Sequence, residues 1–166
     1  MKPFFFLCAA FLLCLGAAHA QSNAYDHIYD PTANAAEDLK KACAEASAAH
    51  KHVLVQVGGN WCIWCKRFYK LTTEDTALSR EVNANYVVYH LNYSKEQKNL
   101  PLLAQFGYPQ RFGFPVLLVL DAQGNRLHTQ NTSLLEEANG YDPKKVMEML
   151  REWSPAALNP KNYANE

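Results

Sequence analysis

Two cysteines separated by two residues carry the clearest chemistry in the sequence. Cys62 and Cys65 follow a short apolar run and stand at the start of a helix-favouring segment. This spacing places both sulfurs on one side of a first helical turn, where they can close a small ring. Free backbone N–H groups and the positive end of the helix dipole favour a thiolate at Cys62, and the thiolate is the species that attacks disulfides. We therefore predict Cys62 as the nucleophile and the more buried Cys65 as the resolving thiol.

The spacing alone is also compatible with two further roles for the pair. A purely structural disulfide within one turn would constrain little chain and stabilise the fold weakly. Half of a zinc site is the second alternative, but structural zinc usually takes four protein ligands. The sequence has no second CxxC, and His50 and His52 precede the strand at the end away from the pair. We therefore predict no metal site, and Lys66 either adds positive potential near Cys62 or is a solvated surface lysine.

The elements around the cysteines can be predicted from hydrophobic periodicity and turn residues. Leu39, Cys43 and Ala46 recur at helical spacing in an Ala-rich segment, whereas residues 53–57 form a short β-branched run typical of a buried strand. Asp142 and Pro143 are typical of the start of a final helix. The predicted helices cover residues 33–50, 62–71, 76–85, 95–106 and 142–153, and the predicted strands cover residues 53–57, 86–91, 116–120 and 126–130.

The order of these elements predicts an α/β fold. A helical crossover joins the first two strands, so they should lie parallel, whereas the turn at residues 121–125 should fold the last two strands into an antiparallel hairpin. The result is a mixed, roughly four-stranded sheet with helices on both faces.

Two stretches of the chain resemble the thioredoxin superfamily. One is VLVQVGGNWCIWCK at residues 53–66, which is similar to that family's strand, turn and active site. The other is Gly113-Phe114-Pro115 followed by the apolar residues 116–120, which is similar to its cis-proline loop and third strand. The resemblance covers residues 33–153 and is greatest to small secreted thioredoxin-like proteins and to the periplasmic thioredoxin-like domain of membrane electron carriers.

The resemblance implies roles for residues beyond the cysteines. Pro115 would be cis and opposite the pair, and the backbone of Phe114 would pair with an extended substrate segment as an added strand. Trp61 would cover the sulfurs. An ordinary trans proline and a core tryptophan are the structural alternatives. The residues expected to bind substrate are Trp61, Ile63, Trp64, Phe114 and Pro115, with Gln56 and Lys66 in support.

The sequence also departs from the family pattern. Thioredoxins carry a buried acid six residues before the first cysteine, and Gln56 occupies that position here. A glutamine can hydrogen-bond or hold a water near Cys65, but it cannot take a proton from it. Ile63 and Trp64 replace the common Gly-Pro pair between the cysteines, and the stretch at residues 108–112 is longer than in a minimal thioredoxin.

The first twenty residues suggest that the protein is exported. Residues 1–20 combine Lys2, an apolar run and a small-residue site at Ala18-His19-Ala20, which predicts a signal peptide cleaved before Gln21; a retained membrane anchor is the alternative. We predict an irregular segment at residues 21–32, one thioredoxin-like domain at 33–153 and an irregular tail at 154–166. The signal predicts export, to the periplasm or, as the alternative, by secretion, and membrane contact would be only transient, through that signal.

The composition limits the partners. Sixteen basic and sixteen acidic residues give a formal net charge of zero, so nothing favours nucleic acid as a partner. No cofactor is expected. Cys43 lies on the apolar stripe of the first predicted helix and should behave as a small buried hydrophobe, with a regulatory thiol as the alternative.

These features predict a redox-active disulfide in an exported thiol–disulfide oxidoreductase. It would exchange disulfides with protein substrates, with the reducing direction favoured because most similar proteins reduce or relay electrons. A membrane-bound or soluble redox partner would recycle the pair. The alternatives are a binding module on a thioredoxin scaffold with a structural disulfide, and a chaperone that holds a soft metal such as Cu(I) between Cys62 and Cys65.

Overall fold

The computed structural model describes residues 24–164, so the predicted signal peptide lies outside the described residues. The α-helices of the described residues are α1 (Ala35–Ala49), α2 (Ile63–Glu74), α3 (Thr76–Asn85), α4 (Leu100–Gln105) and α5 (Pro143–Glu152). The strands are β1 (His52–Gly58), β2 (Tyr86–Asn92), β3 (Val116–Leu120), β4 (Arg126–Asn131), β5 (Glu136–Glu137) and β6 (Gly140–Tyr141). Among these residues, no helix combines the length and the apolar character needed to span a membrane.

Four strands form one mixed sheet in the order β2-β1-β3-β4. β1 pairs with β2 in parallel, and β3 pairs with both β1 and β4 in antiparallel fashion. The α/β fold, the parallel first pair and the final hairpin are therefore confirmed. β5 and β6 form a separate two-stranded ribbon that periodicity does not predict, because two-residue strands carry no detectable alternation.

Short polar side chains fix where three of the helices begin. The side chain of Asn34 accepts a hydrogen bond from the backbone N–H of Glu37 at the start of α1. Asp75 plays the same part for α3, and Asp142 accepts from the backbone of Lys144 at the start of α5. These side chains satisfy N–H groups that have no partner within the helix, so each helix starts where its cap stands.

The alternation of side chains along β1 divides the core into two layers. Val53, Val55 and Val57 face α1 and α4, whereas Leu54 and Gln56 face the opposite side, because successive strand residues point to opposite faces. The opposite layer is filled largely by α2, α3 and α5, including Phe68, Leu78, Val146 and Leu150. Gln56 consequently lies on the face of the sheet that α2 covers.

The segment before α1 is ordered against the active-site end of the sheet. The sequence predicts an irregular chain here, but the segment forms a 3₁₀ helix at Ala24–His27 and then buries Tyr29, which is 2% exposed. We call residues 24–30 the N-terminal strap. The tail also contains a short 3₁₀ helix, Pro160–Tyr163, where the sequence predicts an irregular chain.

Three contacts fasten the N-terminal strap to the loop after β1 and to α2. The Asn60 side chain accepts from the Tyr29 backbone N–H at 3.0 Å and donates to the Tyr29 carbonyl at 2.8 Å. Lys66 forms an ion pair with Asp26 at 2.5 Å. The hydroxyl of Tyr25 donates to Glu74. These contacts hold Tyr29 beside the cysteines.

Candidate active site

The two cysteines of the motif form a disulfide at the beginning of α2. Cys62 and Cys65 are bonded with 5.2 Å between their Cα atoms. Cys62 is the N-cap of α2, and its sulfur accepts a hydrogen bond from the backbone N–H of Cys65 at 3.1 Å. The predicted pairing is confirmed, and the sulfur of Cys62 lies where the helix N-terminus favours negative charge.

The two sulfurs differ in how far solvent can reach them. Cys62 is 5% exposed, whereas Cys65 is fully buried at 0%. An attacking group from another protein can approach only a sulfur with accessible surface. Cys62 is thus the cysteine of the pair that keeps some accessible surface.

The surroundings of Cys65 are built from β1 and the N-terminal strap. The Gln56 amide nitrogen donates to the Tyr29 hydroxyl at 2.6 Å and to the Cys65 carbonyl at 3.1 Å. Tyr29, Cys62 and Cys65 form one buried cluster. The sequence predicts Gln56 near Cys65 but gives Tyr29 only a packing role; the one signal for Tyr29 is an aromatic residue within a polar segment.

An aromatic rim surrounds the reachable sulfur. Trp61 is 59% exposed, its indole N–H donates to the Tyr93 carbonyl at 2.8 Å, and its ring meets Phe114 edge to face at 5.4 Å. Ile63 is also exposed. The Phe114–Pro115 peptide bond is cis, and the Thr132 hydroxyl donates to the Pro115 carbonyl. The structure thus brings Trp61 and Phe114 together beside the disulfide.

Trp64, predicted to bind substrate, packs against the cysteine cluster, and both Trp64 and Lys66, the latter predicted in support, make further contacts away from the disulfide. Trp64 is half-buried, packs against Tyr141 at 5.5 Å between ring centroids and lies under the Arg67 guanidinium. Lys66 is neither solvated nor unpaired, because Asp26 neutralises its charge in the ion pair of the N-terminal strap. Lys66 therefore links α2 to the N-terminal strap.

Gly58, the last residue of β1, has no side chain, and the disulfide packs into the space that a side chain there would fill. A Cβ built on Gly58 would lie 2.4 Å from the Cys65 sulfur and 2.7 Å from the Tyr29 hydroxyl. Both distances are far below van der Waals contact. We therefore expect Gly58→Ala to lower the free energy of unfolding by about 1–3 kcal/mol, the usual cost of overpacking a core, and urea unfolding of the oxidised protein measures it.

Gly140→Ala is the matched control for this prediction. A Cβ at Gly140 would meet no atom within 4 Å, so the same change there should leave the unfolding midpoint nearly unchanged. If both variants unfold at the wild-type urea concentration, the close approach of Cys65 to Gly58 is wrong.

The remaining cysteine of the described chain is outside this site. Cys43 is half-buried and free, where the sequence predicts a buried residue, because α1 turns its sulfur toward the edge of the core near Gly124. Burial and the nearby Asp121 raise the pKa of its thiol.

Among residues 24–164, no group of three or more His, Cys, Asp or Glu side chains is arranged to hold a metal ion.

The fold and the paired cysteines define a thioredoxin-fold domain. The family model of the thioredoxin-like domain matches residues 39–138, and the chain belongs to this thioredoxin-like family of thiol–disulfide oxidoreductases. The matched range begins within α1 and ends just after β5, so it includes both cysteines of the motif.

Relatives in bacteria are named thiol:disulfide interchange proteins. The chain is 29% identical over 110 residues to DsbD of Yersinia pestis (strain Pestoides F), covering 66% of this chain and 18% of that protein. It is 31% identical over 90 residues to DsbD of Vibrio vulnificus (strain CMCP6), covering 54% of this chain and 14% of the relative. The chain therefore spans less than a fifth of the length of these relatives.

Solved structures share the fold. A disulphide isomerase from Xylella fastidiosa Temecula1 superposes with a TM-score of 0.66 at 24% identity, covering 75% of this chain and 95% of that one. The oxidised C-terminal domain of Neisseria meningitidis DsbD superposes with a TM-score of 0.51 at 19% identity, covering 71% and 95% of the two chains. At these identities the likeness concerns the fold alone.

Proposed function

We propose that this protein is an exported thiol–disulfide oxidoreductase that acts on protein substrates through Cys62 and Cys65, in the reducing direction. The observation that carries the proposal is the disulfide at the start of α2, in which Cys62 keeps a small accessible surface, 5% of the residue, while Cys65 has none. A bridge that served only stability would not need the exposed apolar side chains of Trp61 and Ile63 beside it.

The proposed reaction has two exchange steps. The Cys62 thiolate attacks one sulfur of a substrate disulfide, forms a mixed disulfide and expels the other substrate sulfur as a thiolate, which takes up a proton. Cys65 then loses its proton and attacks the Cys62 sulfur. The Cys62–Cys65 disulfide forms, and the electron pair of the broken bond leaves with the second substrate sulfur. The substrate gains two electrons and two protons, and the cysteine pair loses them.

The rim supports a protein as the substrate. Trp61 and Ile63 present exposed apolar surface beside Cys62, and Phe114, which precedes the cis bond to Pro115, packs against the Trp61 ring. An extended segment of a substrate could pair with the backbone at Phe114, which would recognise main chain rather than particular side chains. Substrates of varied sequence would then be accepted.

The relatives support a recycling partner. The reaction leaves the pair oxidised, so a dithiol reductant must return it to the thiol form. Proteins named thiol:disulfide interchange protein DsbD match this chain over part of their length. We propose that a membrane-bound or soluble thiol reductant recycles the pair, and that the protein works in the periplasm.

Reduction of insulin by dithiothreitol tests the activity. Wild-type protein should accelerate the precipitation of insulin, whereas Cys62→Ser should reduce the rate to that of dithiothreitol alone, because no accessible thiolate remains. Cys43→Ser is the matched control and should retain the wild-type rate, since Cys43 lies outside the site. Equal rates for wild type and Cys62→Ser would reject the proposal.

The equilibrium potential of the pair separates the reductase from the alternative binding module. A potential well below about −300 mV would indicate a stable structural bridge that a glutathione pool does not open. A potential in the range of redox-active pairs, about −270 to −120 mV, supports exchange, and its position within that range indicates the direction.

A further inference from the structure

Cys65 must become a thiolate beside a glutamine rather than a carboxylate. Its sulfur is fully buried, and Gln56 occupies the position from which an acid could take the proton. A glutamine side chain has no titratable proton. Burial opposes the charged form of a thiol, so another group must stabilise the Cys65 thiolate if the second exchange step is to be fast.

Tyr29 is a polar side chain whose hydroxyl lies near this sulfur. The Cys65 carbonyl can only accept hydrogen bonds, so the Gln56 atom facing it is the amide nitrogen, a donor. The same nitrogen lies 2.6 Å from the Tyr29 hydroxyl, so the tyrosine oxygen accepts and its own hydrogen is directed elsewhere. The Cys65 sulfur and the Tyr29 hydroxyl lie 2.4 and 2.7 Å from the position that a Cβ on Gly58 would take, so the two atoms are close neighbours.

We propose that Tyr29 is a positioning residue whose hydroxyl donates a hydrogen bond to the Cys65 sulfur when the disulfide is open, and so stabilises the resolving thiolate. This inference rests on the proposed function, because it concerns the second exchange step of that reaction. The N-terminal strap would thereby supply a neutral donor where thioredoxins carry an acid.

Tyr29 serves as a donor and not as a base. Burial raises the pKa of its phenol well above the usual range, so it keeps its proton. Cys65 gives its proton to solvent before it attacks, and the substrate thiolate released from Cys62 takes up a proton from solvent, while Tyr29 keeps its own proton and only donates a hydrogen bond to the charged sulfur. No proton is gained or lost by Tyr29 over the cycle.

The side chains that face Tyr29 are neutral near pH 7 while the disulfide is closed. Cys62 faces it from α2, His90 meets its ring edge to face at 5.6 Å from β2, and Tyr141 faces it from β6. Burial lowers the pKa of His90 to about 4, so its imidazole is uncharged at neutral pH. Lys66 is neutralised by Asp26. Removal of the Tyr29 hydroxyl should therefore change the pKa of Cys65.

The test is the pKa of Cys65 in the Cys62→Ser background, where the second thiol cannot couple to it. The pKa is followed through the Cβ chemical shift of ¹³C-labelled cysteine. Adding Tyr29→Phe should raise the pKa of Cys65 by about one unit, because a hydrogen bond to the charged form is lost. At pH 7, Tyr29→Phe with both cysteines present should release a preformed mixed disulfide about threefold more slowly, because the smaller thiolate fraction is partly offset by the higher nucleophilicity of a more basic thiolate.

Tyr25→Phe is the matched control. It removes a hydroxyl from the same strap, but that hydroxyl bonds to Glu74, and its ring contacts Tyr69 rather than the sulfurs. The pKa of Cys65 should not change. Gln56→Met is a second variant, which removes the donor that orients Tyr29 and should raise the pKa of Cys65 by a smaller amount.

The outcomes separate this inference from the proposed function. An unchanged pKa of Cys65 in Tyr29→Phe overturns the inference even if wild-type protein reduces insulin. A rise that Tyr25→Phe reproduces also overturns it, because loosening of the strap would then be the cause. Failure of wild-type protein to reduce insulin overturns the proposed function, whatever the pKa values are.

Discussion

Replacing Cys65 by serine is expected to convert a transient intermediate into a stable covalent complex. Cys62 keeps its place at the N-terminus of α2, so its thiolate still attacks a substrate disulfide. The second attack is lost, and external thiols must replace an intramolecular one. Turnover should fall by about a thousandfold, since a positioned intramolecular group is far more effective than a dissolved one. Non-reducing electrophoresis and intact mass after incubation with insulin measure the mixed disulfide.

Cys62→Ser is the matched control for the trapped complex. It leaves Cys65 as the remaining thiol of the pair, and that sulfur is 0% exposed, so no insulin adduct should form at the site. Both variants should carry Cys43→Ser so that the third thiol forms no adduct. Equal trapping by Cys62→Ser and Cys65→Ser would mean that the order of attack is wrong.

Local signals are sufficient to predict most of the fold. The apolar run at residues 116–120 predicts β3 with its observed bounds, because a strand buried on both faces needs no alternation. The bounds of α3 also match, since Asp75 caps its first turn and Tyr86 begins the next strand. The spacing of the cysteines indicates the disulfide, which depends only on one helical turn.

The rest of the site depends on contacts between distant parts of the chain. Tyr29 reaches Cys65 because Asn60 binds its backbone, and that pairing joins residues 31 positions apart. Trp64 turns toward Tyr141, which lies on a ribbon too short to show periodicity. Periodicity reports which face of an element is buried, but it does not report which distant residue covers that face.

The stability of the oxidised protein is expected to fall as the pH drops from about 6.5 to 4, because His90 is held neutral in the folded state. Burial lowers the pKa of His90 to about 4, while an unfolded histidine titrates near 6.5. Between these values the unfolded chain binds a proton that the folded protein does not. Each pH unit then costs up to about 1.4 kcal/mol, or about 3 kcal/mol over the whole range.

The physical cause lies in the ring contacts of His90. Its imidazole packs against Tyr29 at 5.6 Å and Tyr69 at 5.4 Å between ring centroids, and it pairs with Gln56 across β1 and β2. None of these three neighbours carries a negative charge near pH 6 that could stabilise an imidazolium. Protonation of the folded protein is therefore disfavoured, and acid shifts the equilibrium toward the unfolded chain.

Urea unfolding at pH 7, 6, 5 and 4.5 measures this dependence, and His90→Gln should remove most of the slope. The variant should be less stable at pH 7 because it loses two ring contacts, so the slope and not the absolute stability is the test. Exposed carboxylates titrate in both proteins, so their contributions cancel when the slope of the variant is subtracted from the slope of the wild type. His27→Gln, at an exposed position in the N-terminal strap, should retain the wild-type slope. If the His90→Gln protein kept the full wild-type slope, another group would cause the acid sensitivity. His90 could then be protonated in the folded protein despite its contacts with the rings of Tyr29 and Tyr69.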